Sequence, residues 1–266
     1  MYSVTQRANS VKQPYGGYLR PSRFQKIELE CSQILNEEEN IHPTVIGIVV
    51  DYLTRFMMGK SIQEAFAISF QGAKIAEILG FKGYIEESIR LGKDIKGLDD
   101  ESIISACKLA TLDMWRRNPF AAMVATSYKE TNPDIDTIEN IRIMVERSIK
   151  MWSEYGPIVA DGFTFEPTGY TETVSSGDGD YLTEDTLWDF KVSKNRVTSK
   201  QTLQLLMYWI MGRHSGKPEF QSIKKLGIYN PRLNIVYLYK TETSLDKGTQ
   251  RKTTENELPS LTQCTA

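Results

Sequence analysis

The chain has 266 residues, of which 40% are hydrophobic and 25% are charged, a composition that fits a soluble globular protein with a sizeable core. Its formal net charge of −2 argues against a globally basic surface for nucleic acid. No apolar run is long enough for a membrane span, and Met1–Arg7 lacks the apolar region of a signal peptide. We therefore expect a cytoplasmic protein with no membrane partner. Its three cysteines are far apart in the sequence and predict no disulfide framework: Cys31, Cys107 and Cys264.

The N-terminal part of the chain is predicted to be helical behind a short polar arm. Residues 1–20 are polar, contain Pro14 and two glycines, and predict a flexible arm. Residues 21–156 form the predicted helical layer, with helices that begin near residue 21 and then run over 45–58, 61–79, 85–91, 100–116 and 136–155. Ser61, with Glu64 three residues later, is typical of a capped helix start.

From residue 160 the apolar pattern changes to the two-residue period of strands. We predict a helix over 198–211 and strands over 162–165, 173–182, 186–192, 225–229 and 235–240. The order of these elements predicts an α/β core over residues 157–240, in which a helix packs on a mixed central sheet. Residues 241–266 are rich in Thr, Ser and charge, and predict a polar, loosely packed tail.

Three short motifs in residues 177–208 carry the functional signal. They are Gly177-x-x-Asp180, Asp189-x-Lys191 and Gln204-x-x-x-Tyr208. Residues two apart in a strand share a face, so Asp189 and Lys191 are expected to project together. Residues four apart in a helix also share a face, so Gln204 and Tyr208 can reach one site.

The hairpin between the two predicted strands determines which acidic residues meet. A turn over 183–186 sets a register in which Asp180 lies opposite Asp189, and Asp178 opposite Lys191. Two carboxylates that face each other across a ladder are costly unless a positive charge lies between them. A hard divalent cation such as Mg²⁺ would satisfy both. For the hairpin alone, an ordinary amphipathic hairpin with Asp and Lys on its solvated face is the alternative.

In this order, the three motifs resemble those of RecB-like nucleases in the PD-(D/E)XK superfamily. The resemblance implies a sheet of the restriction-endonuclease-like type and a metal-dependent nuclease that hydrolyses DNA with a metal-activated water. It adds the main-chain carbonyl of Phe190 to Asp180 and Asp189 as ligands of Mg²⁺ or Mn²⁺. Lys191 would orient the water as a protonated group, while Gln204 and Tyr208 would position phosphate or water. Some family members hold an iron–sulfur cluster on four cysteines, which this chain does not have.

Two further features bear on the same function. Gly47-x-x-x-Asp51 is similar to the family's upstream Gly-x-x-x-His motif, so Asp51 is an additional candidate metal ligand; an ion pair with Arg55 is the alternative. Between Asp189 and Lys217 the chain has six basic residues and one acid. Of these basic residues, we expect three to bind phosphates of nucleic acid, unless they form a solvated surface: Lys194, Arg196 and Lys200.

Two other functions remain compatible with the sequence. One is a catalytically inactive or non-enzymatic nucleic-acid-binding protein on the same fold, which the complete set of Asp180, Asp189 and Lys191 disfavours. The other is an RNA nuclease, because no residue pattern identifies a contact to a 2′-hydroxyl group.

Overall fold

The computed structural model describes residues 2–125, 127–165 and 174–241. Its strands are β1 (Tyr2–Ser3), β2 (Gln25–Glu28), β3 (Ile158–Phe165), β4 (Val174–Thr183), β5 (Thr186–Phe190), β6 (Lys225–Asn230) and β7 (Ile235–Lys240). Its helices are α1 (Val4–Ser10), α2 (Pro43–Met57), α3 (Ile62–Ala65), α4 (Ala67–Ile78), α5 (Tyr84–Asp94), α6 (Asp100–Ala110), α7 (Asp113–Arg117), α8 (Pro119–Val124), α9 (Ile135–Tyr155), α10 (Ser199–His214) and α11 (Pro218–Gln221). The predicted polar tail lies outside the described residues from position 242 onward.

The chain divides into two compact units, one of Met1–Leu29 with Trp152–Ala266 and one of Glu30–Met151. The first unit, called the sheet unit below, contains a seven-stranded sheet in the order β1-β4-β5-β6-β7-β2, with β3 also paired to β4. The β1–β4 and β5–β6 pairs are parallel and the others antiparallel, so the sheet is mixed. Helix α10 packs on it. This confirms the predicted α/β class.

The second unit, the helical unit, contains the predicted helices with two interruptions. The segment predicted as one helix over 61–79 is α3 and α4, and the segment over 100–116 is α6 and α7. The capping box of Ser61 and Glu64 is present at the start of α3. Asp113 is buried and accepts 2.6 Å hydrogen bonds from the hydroxyls of Tyr52 and Ser69, which ties α2, α4 and α7 together. Within the described residues, no helix has the length and apolar character needed to cross a bilayer.

The N-terminal segment differs from the flexible arm that its polarity predicts. Ser3 and Gln6 form a capping box at the start of α1. This pair is the sequence signature of the helix start. Val4 and Ala8, four residues apart, form a buried stripe in the core of the sheet unit, and Leu19 is fully buried there as well. These few apolar residues are enough to hold α1 in the core because α10 and β4 pack against it.

The expected first helix near residue 21 is also absent. Pro21–Arg23 form a single 3₁₀ turn, after which β2 pairs with the edge of the sheet at β7. Glu28, at the end of β2, is an exposed edge residue that pairs with Lys26. The available edge of β7 decides this outcome, because strand pairing satisfies backbone groups that a short isolated helix would leave to water.

Truncation of Val4 tests whether the N-terminal segment belongs to the folded sheet unit. Val4 has no exposed surface, so Val4→Ala removes two buried methyl groups and should lower the free energy of unfolding by roughly 1.5–3 kcal/mol. The matched control is Val159→Ala, since Val159 is 55% exposed on β3 and should lose less than about 0.5 kcal/mol. Urea denaturation of both variants measures the difference. Equal, small losses would show that residues 2–11 do not stabilise the unit.

Candidate active site

The hairpin of β4 and β5 has the predicted register. Tyr181 pairs with Trp188, and Leu182 pairs with Leu187. Extended by one residue on each strand, this register would place Asp180 opposite Asp189. The ring of Trp188 is buried on the face away from Asp189, and its indole N–H donates to the Thr183 hydroxyl at 3.1 Å. The hairpin thus fixes which carboxylates meet.

Asp189 is a buried charged residue of the site. Asp189 is only 1% exposed, and its Oδ2 has no hydrogen-bond partner among the described residues. The Nζ of Lys191 lies 2.8 Å from Oδ1, where the ammonium group forms an ion pair and donates a hydrogen bond. The predicted shared face of Asp189 and Lys191 is therefore confirmed. A buried carboxylate with open lone pairs is rare and costly, and it is the kind of group that a cation satisfies.

Lys191 is held in its charged form by its neighbours. Burial opposes the charge, but the negative charges of Asp189 and Asp180 outweigh burial and raise the pKa of the ammonium group. Lys191 is consequently protonated at neutral pH. This agrees with the expectation that it is not a free base.

Asp180 approaches the backbone of the neighbouring strand. Its Oδ2 accepts a 2.7 Å hydrogen bond from the amide of Phe190. In a strand, the N–H and C=O of one residue point to the same side, so the Phe190 carbonyl is directed toward β4 as well. Acceptor oxygens of Asp180, Asp189 and Phe190 are thus brought together by the hairpin.

The position of Asp180 depends on an interruption in the alternation of β4. Leu182 lies in the core with α10, and a Cβ at Gly177 would contact Tyr208 of the same helix. Positions 177 and 182 are an odd number of residues apart, so in a regular strand they would face opposite sides of the sheet. The change of face occurs around Asp180. Opposite Asp180 the register of β3 places Gly162, which has a φ of 57°. A left-handed residue of this kind breaks the regular pleat, a device that redirects side chains at functional sites.

The same interruption explains why one expectation about Asp178 is wrong. The hairpin register predicts Asp178 opposite Lys191. In the structure Lys191 follows the end of β5, and Asp178 is exposed between Gly177 and Gly179, which face α10. Alternation therefore directs Asp178 to the other face of the sheet. The ion-pair partner of Lys191 is Asp189.

Helix α10 brings Gln204 and Tyr208 together, as their spacing predicts. The Gln204 amide donates to the Tyr208 hydroxyl at 2.8 Å and to the Thr5 hydroxyl of α1 at 3.2 Å. Tyr208 can approach β4 because position 177 is glycine: a Cβ there would lie 3.0 Å from the ring and 2.8 Å from Val4. Thr5 is a contact that sequence analysis missed, because the arm was expected to be flexible.

Tyr208 shares the electrostatic environment of the carboxylates. Burial is the largest cause of its raised pKa, and the negative charge of Asp189 adds to it. The phenol therefore remains protonated at neutral pH. Since its oxygen accepts from Gln204, its own O–H is available as a donor.

The remaining candidate residues lie away from these contacts. Lys194 and Arg196 are exposed in the connection after β5, and Lys200 is exposed in the first turn of α10. Asp51 belongs to the helical unit, where it accepts hydrogen bonds of 3.1 and 3.0 Å from Arg55. The predicted ion pair is confirmed, while a metal role for Asp51 stays a prediction.

The donor set fits a hard divalent cation with few protein ligands. Within the described residues, no three His, Cys, Asp or Glu side chains form a metal-binding group. Mg²⁺ needs no such group, because it keeps several waters and uses one or two carboxylates. Asp180 and Asp189 would supply two carboxylates, and Oδ2 of Asp189, which has no hydrogen bond within the described residues, leaves lone pairs for a ligand bond.

Comparison of the chain with protein-family models, with curated proteins and with solved structures found no match.

A double-mutant cycle tests the buried pair. Lys191→Met leaves the Asp189 carboxylate buried without compensation and should cost about 3–5 kcal/mol of stability at neutral pH. Adding Asp189→Asn should recover part of that loss, since the two residues are in contact. The coupling energy comes from urea denaturation of the two single variants and the double variant.

The hairpin turn offers a matched control for this cycle. Lys225 and Asp185 also lie 2.8 Å apart, but their side chains are 39% and 40% exposed, so their coupling should stay below about 1 kcal/mol. A coupling for Lys191 and Asp189 no larger than that of the exposed pair would contradict the buried ion pair.

Proposed function

We propose that this chain is a Mg²⁺- or Mn²⁺-dependent DNA nuclease of the PD-(D/E)XK type, similar to RecB-like nucleases. The observation that carries the proposal is the buried Asp189 carboxylate: among the described residues its Oδ2 has no hydrogen bond, its Oδ1 pairs with Lys191, and the charges of Asp189 and Asp180 both act on Lys191. A structural ion pair alone would leave this arrangement costly, because buried ion pairs need additional hydrogen bonds to offset desolvation. A catalytic cation site explains why it exists.

The ligands in this proposal are Asp180, Asp189 and the carbonyl of Phe190. A bound cation would act as a Lewis acid, lower the pKa of a water molecule and offset the negative charge that develops on phosphate. The hydrogen bond from the Phe190 amide holds Asp180 in a fixed orientation. The burial of Asp189 strengthens its electrostatic interactions by excluding water.

The other site residues act on the water and the phosphate. Lys191 remains protonated between two carboxylates, so it orients the attacking water and offsets negative charge. Tyr208 donates its O–H to a phosphate oxygen, and Gln204 fixes the direction of that O–H by donating to the same hydroxyl. Lys194, Arg196 and Lys200 hold phosphates that flank the cleaved bond, because exposed cations next to a site supply sequence-independent affinity.

The first test is a cleavage assay with Mg²⁺ or Mn²⁺ on linear, circular, single-stranded and double-stranded DNA, and on RNA. Asp189→Asn should lower the rate by at least about 10²–10³-fold, since it removes a charge that acts in the transition state. Asp178→Asn is the matched control: it removes a carboxylate two residues from Asp180, on the other face of the sheet, and should leave the rate within about twofold.

Three outcomes contradict the proposal in different ways. Equal activity of both variants would place the chemistry elsewhere. Metal-dependent cleavage of RNA alone would change the substrate class. Binding of DNA without cleavage by the unsubstituted chain would favour a non-enzymatic protein on the same fold.

Cation binding can be measured without turnover. At a Mg²⁺ or Mn²⁺ concentration about 100-fold above Kd, binding to the folded state should raise the free energy of unfolding by about 2.7 kcal/mol. Asp180→Asn keeps an oxygen that can accept from the Phe190 amide but loses the charge, so its melting temperature should shift less. Thermal melts with and without EDTA provide the measurement. An equal shift in both proteins would show that the cation binds at another place.

A further inference from the structure

The N-terminal segment presents one tyrosine on a rigid turn. The amide of Gly17 donates to the carbonyl of Pro14 at 2.9 Å, and Gly16 and Gly17 have φ values of 83° and 93°. Tyr15, inside this turn, is 98% exposed. Backbone angles of this kind strain other residues, so the turn depends on the two glycines. The backbone of Tyr15 lies within this hydrogen-bonded turn, while its side chain is exposed to solvent.

The turn is attached to the helix that carries Gln204 and Tyr208. A Cβ at Gly17 would lie 2.7 Å from the Cβ of Ser199, at the first residue of α10. The Thr202 hydroxyl donates to the carbonyl of Leu19 at 2.5 Å, and Leu19 is fully buried. The turn that contains Tyr15 is therefore attached to α10, the helix that carries Gln204 and Tyr208.

The surroundings of Tyr15 are basic. Residues 2–27 contain five Lys or Arg and no acid, and residues 190–218 contain six Lys or Arg and no acid. The fold brings these two segments together along α10. The side chain of Arg20 lies 3.3 Å from the Cβ position of Gly16, next to Tyr15, and Lys200 follows the contact residue Ser199. Both cations are exposed.

We propose that Tyr15 is a base-stacking residue for single-stranded nucleic acid, with Arg20 and Lys200 as phosphate contacts on either side. The inference rests on the proposed nuclease function and names the form of its substrate. An exposed aromatic ring amid cations matches a single strand, because unpaired bases offer their faces to a ring while the phosphates contact the cations. In a continuous duplex the base faces are already stacked, so Tyr15 would have no partner there.

The distance along α10 fits a strand that continues into the site. Gln204 lies five positions and Tyr208 nine positions after Ser199, so the axial distances along α10 are roughly 7.5 and 13.5 Å at 1.5 Å per residue. A base on Tyr15 would thus belong to the same strand as the phosphate at the site.

The experiment measures binding in EDTA, so that cleavage does not interfere, at one fixed salt concentration. A dye-labelled oligothymidylate is the probe, and covalently closed circular duplex DNA is tested by competition. Tyr15→Ala should weaken oligothymidylate binding about tenfold, within the range measured for stacking on one base, and leave the duplex affinity within about twofold. Tyr15→Phe keeps the ring and should bind nearly as the unsubstituted chain does.

Phe120→Ala is the matched control, since Phe120 is 82% exposed in the helical unit and should not affect binding. An equal loss on single strand and duplex, a loss in Tyr15→Phe as large as in Tyr15→Ala, or no loss at all would overturn the stacking role. Vesicles of phosphatidylserine and phosphatidylcholine form a further arm. Vesicle binding that requires Tyr15, without an effect on oligothymidylate, would assign this surface to a membrane instead.

The proposal and the nuclease function fail in distinguishable ways. If the unsubstituted chain cleaves DNA with Mg²⁺ or Mn²⁺ but Tyr15→Ala binds oligothymidylate normally, only the stacking role is wrong. If the unsubstituted chain binds no nucleic acid and cleaves none, both are wrong.

Discussion

The carboxylate of Asp189 is nearly sealed from water, and among the described residues it pairs with the ammonium group of Lys191, 2.8 Å from its Oδ1. Desolvation of such a group is costly, so the surrounding structure must hold the pair in place. Trp188 does this from the opposite face of β5, where it is buried. The parallel pairing of β5 with β6 and the hairpin with β4 complete the support. In the proposed function, a divalent cation bound there would offset part of this desolvation cost.

A second constraint is the irregular course of β3 and β4. A regular pleat would keep Asp180 and Asp178 on one face. Around Asp180, opposite the left-handed Gly162 of β3, the alternation changes: Asp180 approaches the Phe190 amide, whereas Asp178 is exposed. The two acids, two residues apart, consequently differ in their surroundings. This difference makes Asp178 a natural control for Asp180 and Asp189.

The N-terminal segment contacts α10, the helix that carries the candidate site residues Gln204 and Tyr208. Thr5 contacts Gln204, the Leu19 carbonyl contacts Thr202, and the turn around Tyr15 lies against the start of α10. One helix therefore organises the site residues and the basic surface beside them. The low net charge of the whole chain conceals this surface, because the acids lie in other segments. Local charge, and not net charge, is what a nucleic-acid strand would meet.

The sequence alone determined the α/β class, the register of the β4–β5 hairpin, and the shared faces of Asp189 with Lys191 and of Gln204 with Tyr208. These depend on short-range geometry: a two-residue period in strands, a four-residue step in a helix, and a tight turn between neighbours. Only the tertiary structure decided that Val4, Ala8 and Leu19 are part of the core, that residues 25–28 form an edge strand, and that Asp178 faces away. The first two depend on partners distant in the chain, namely α10 and β7, and the third on the course of β4 in the sheet. Local patterns do not contain the identity of such partners, because burial and strand pairing are set by whatever surface the rest of the fold presents.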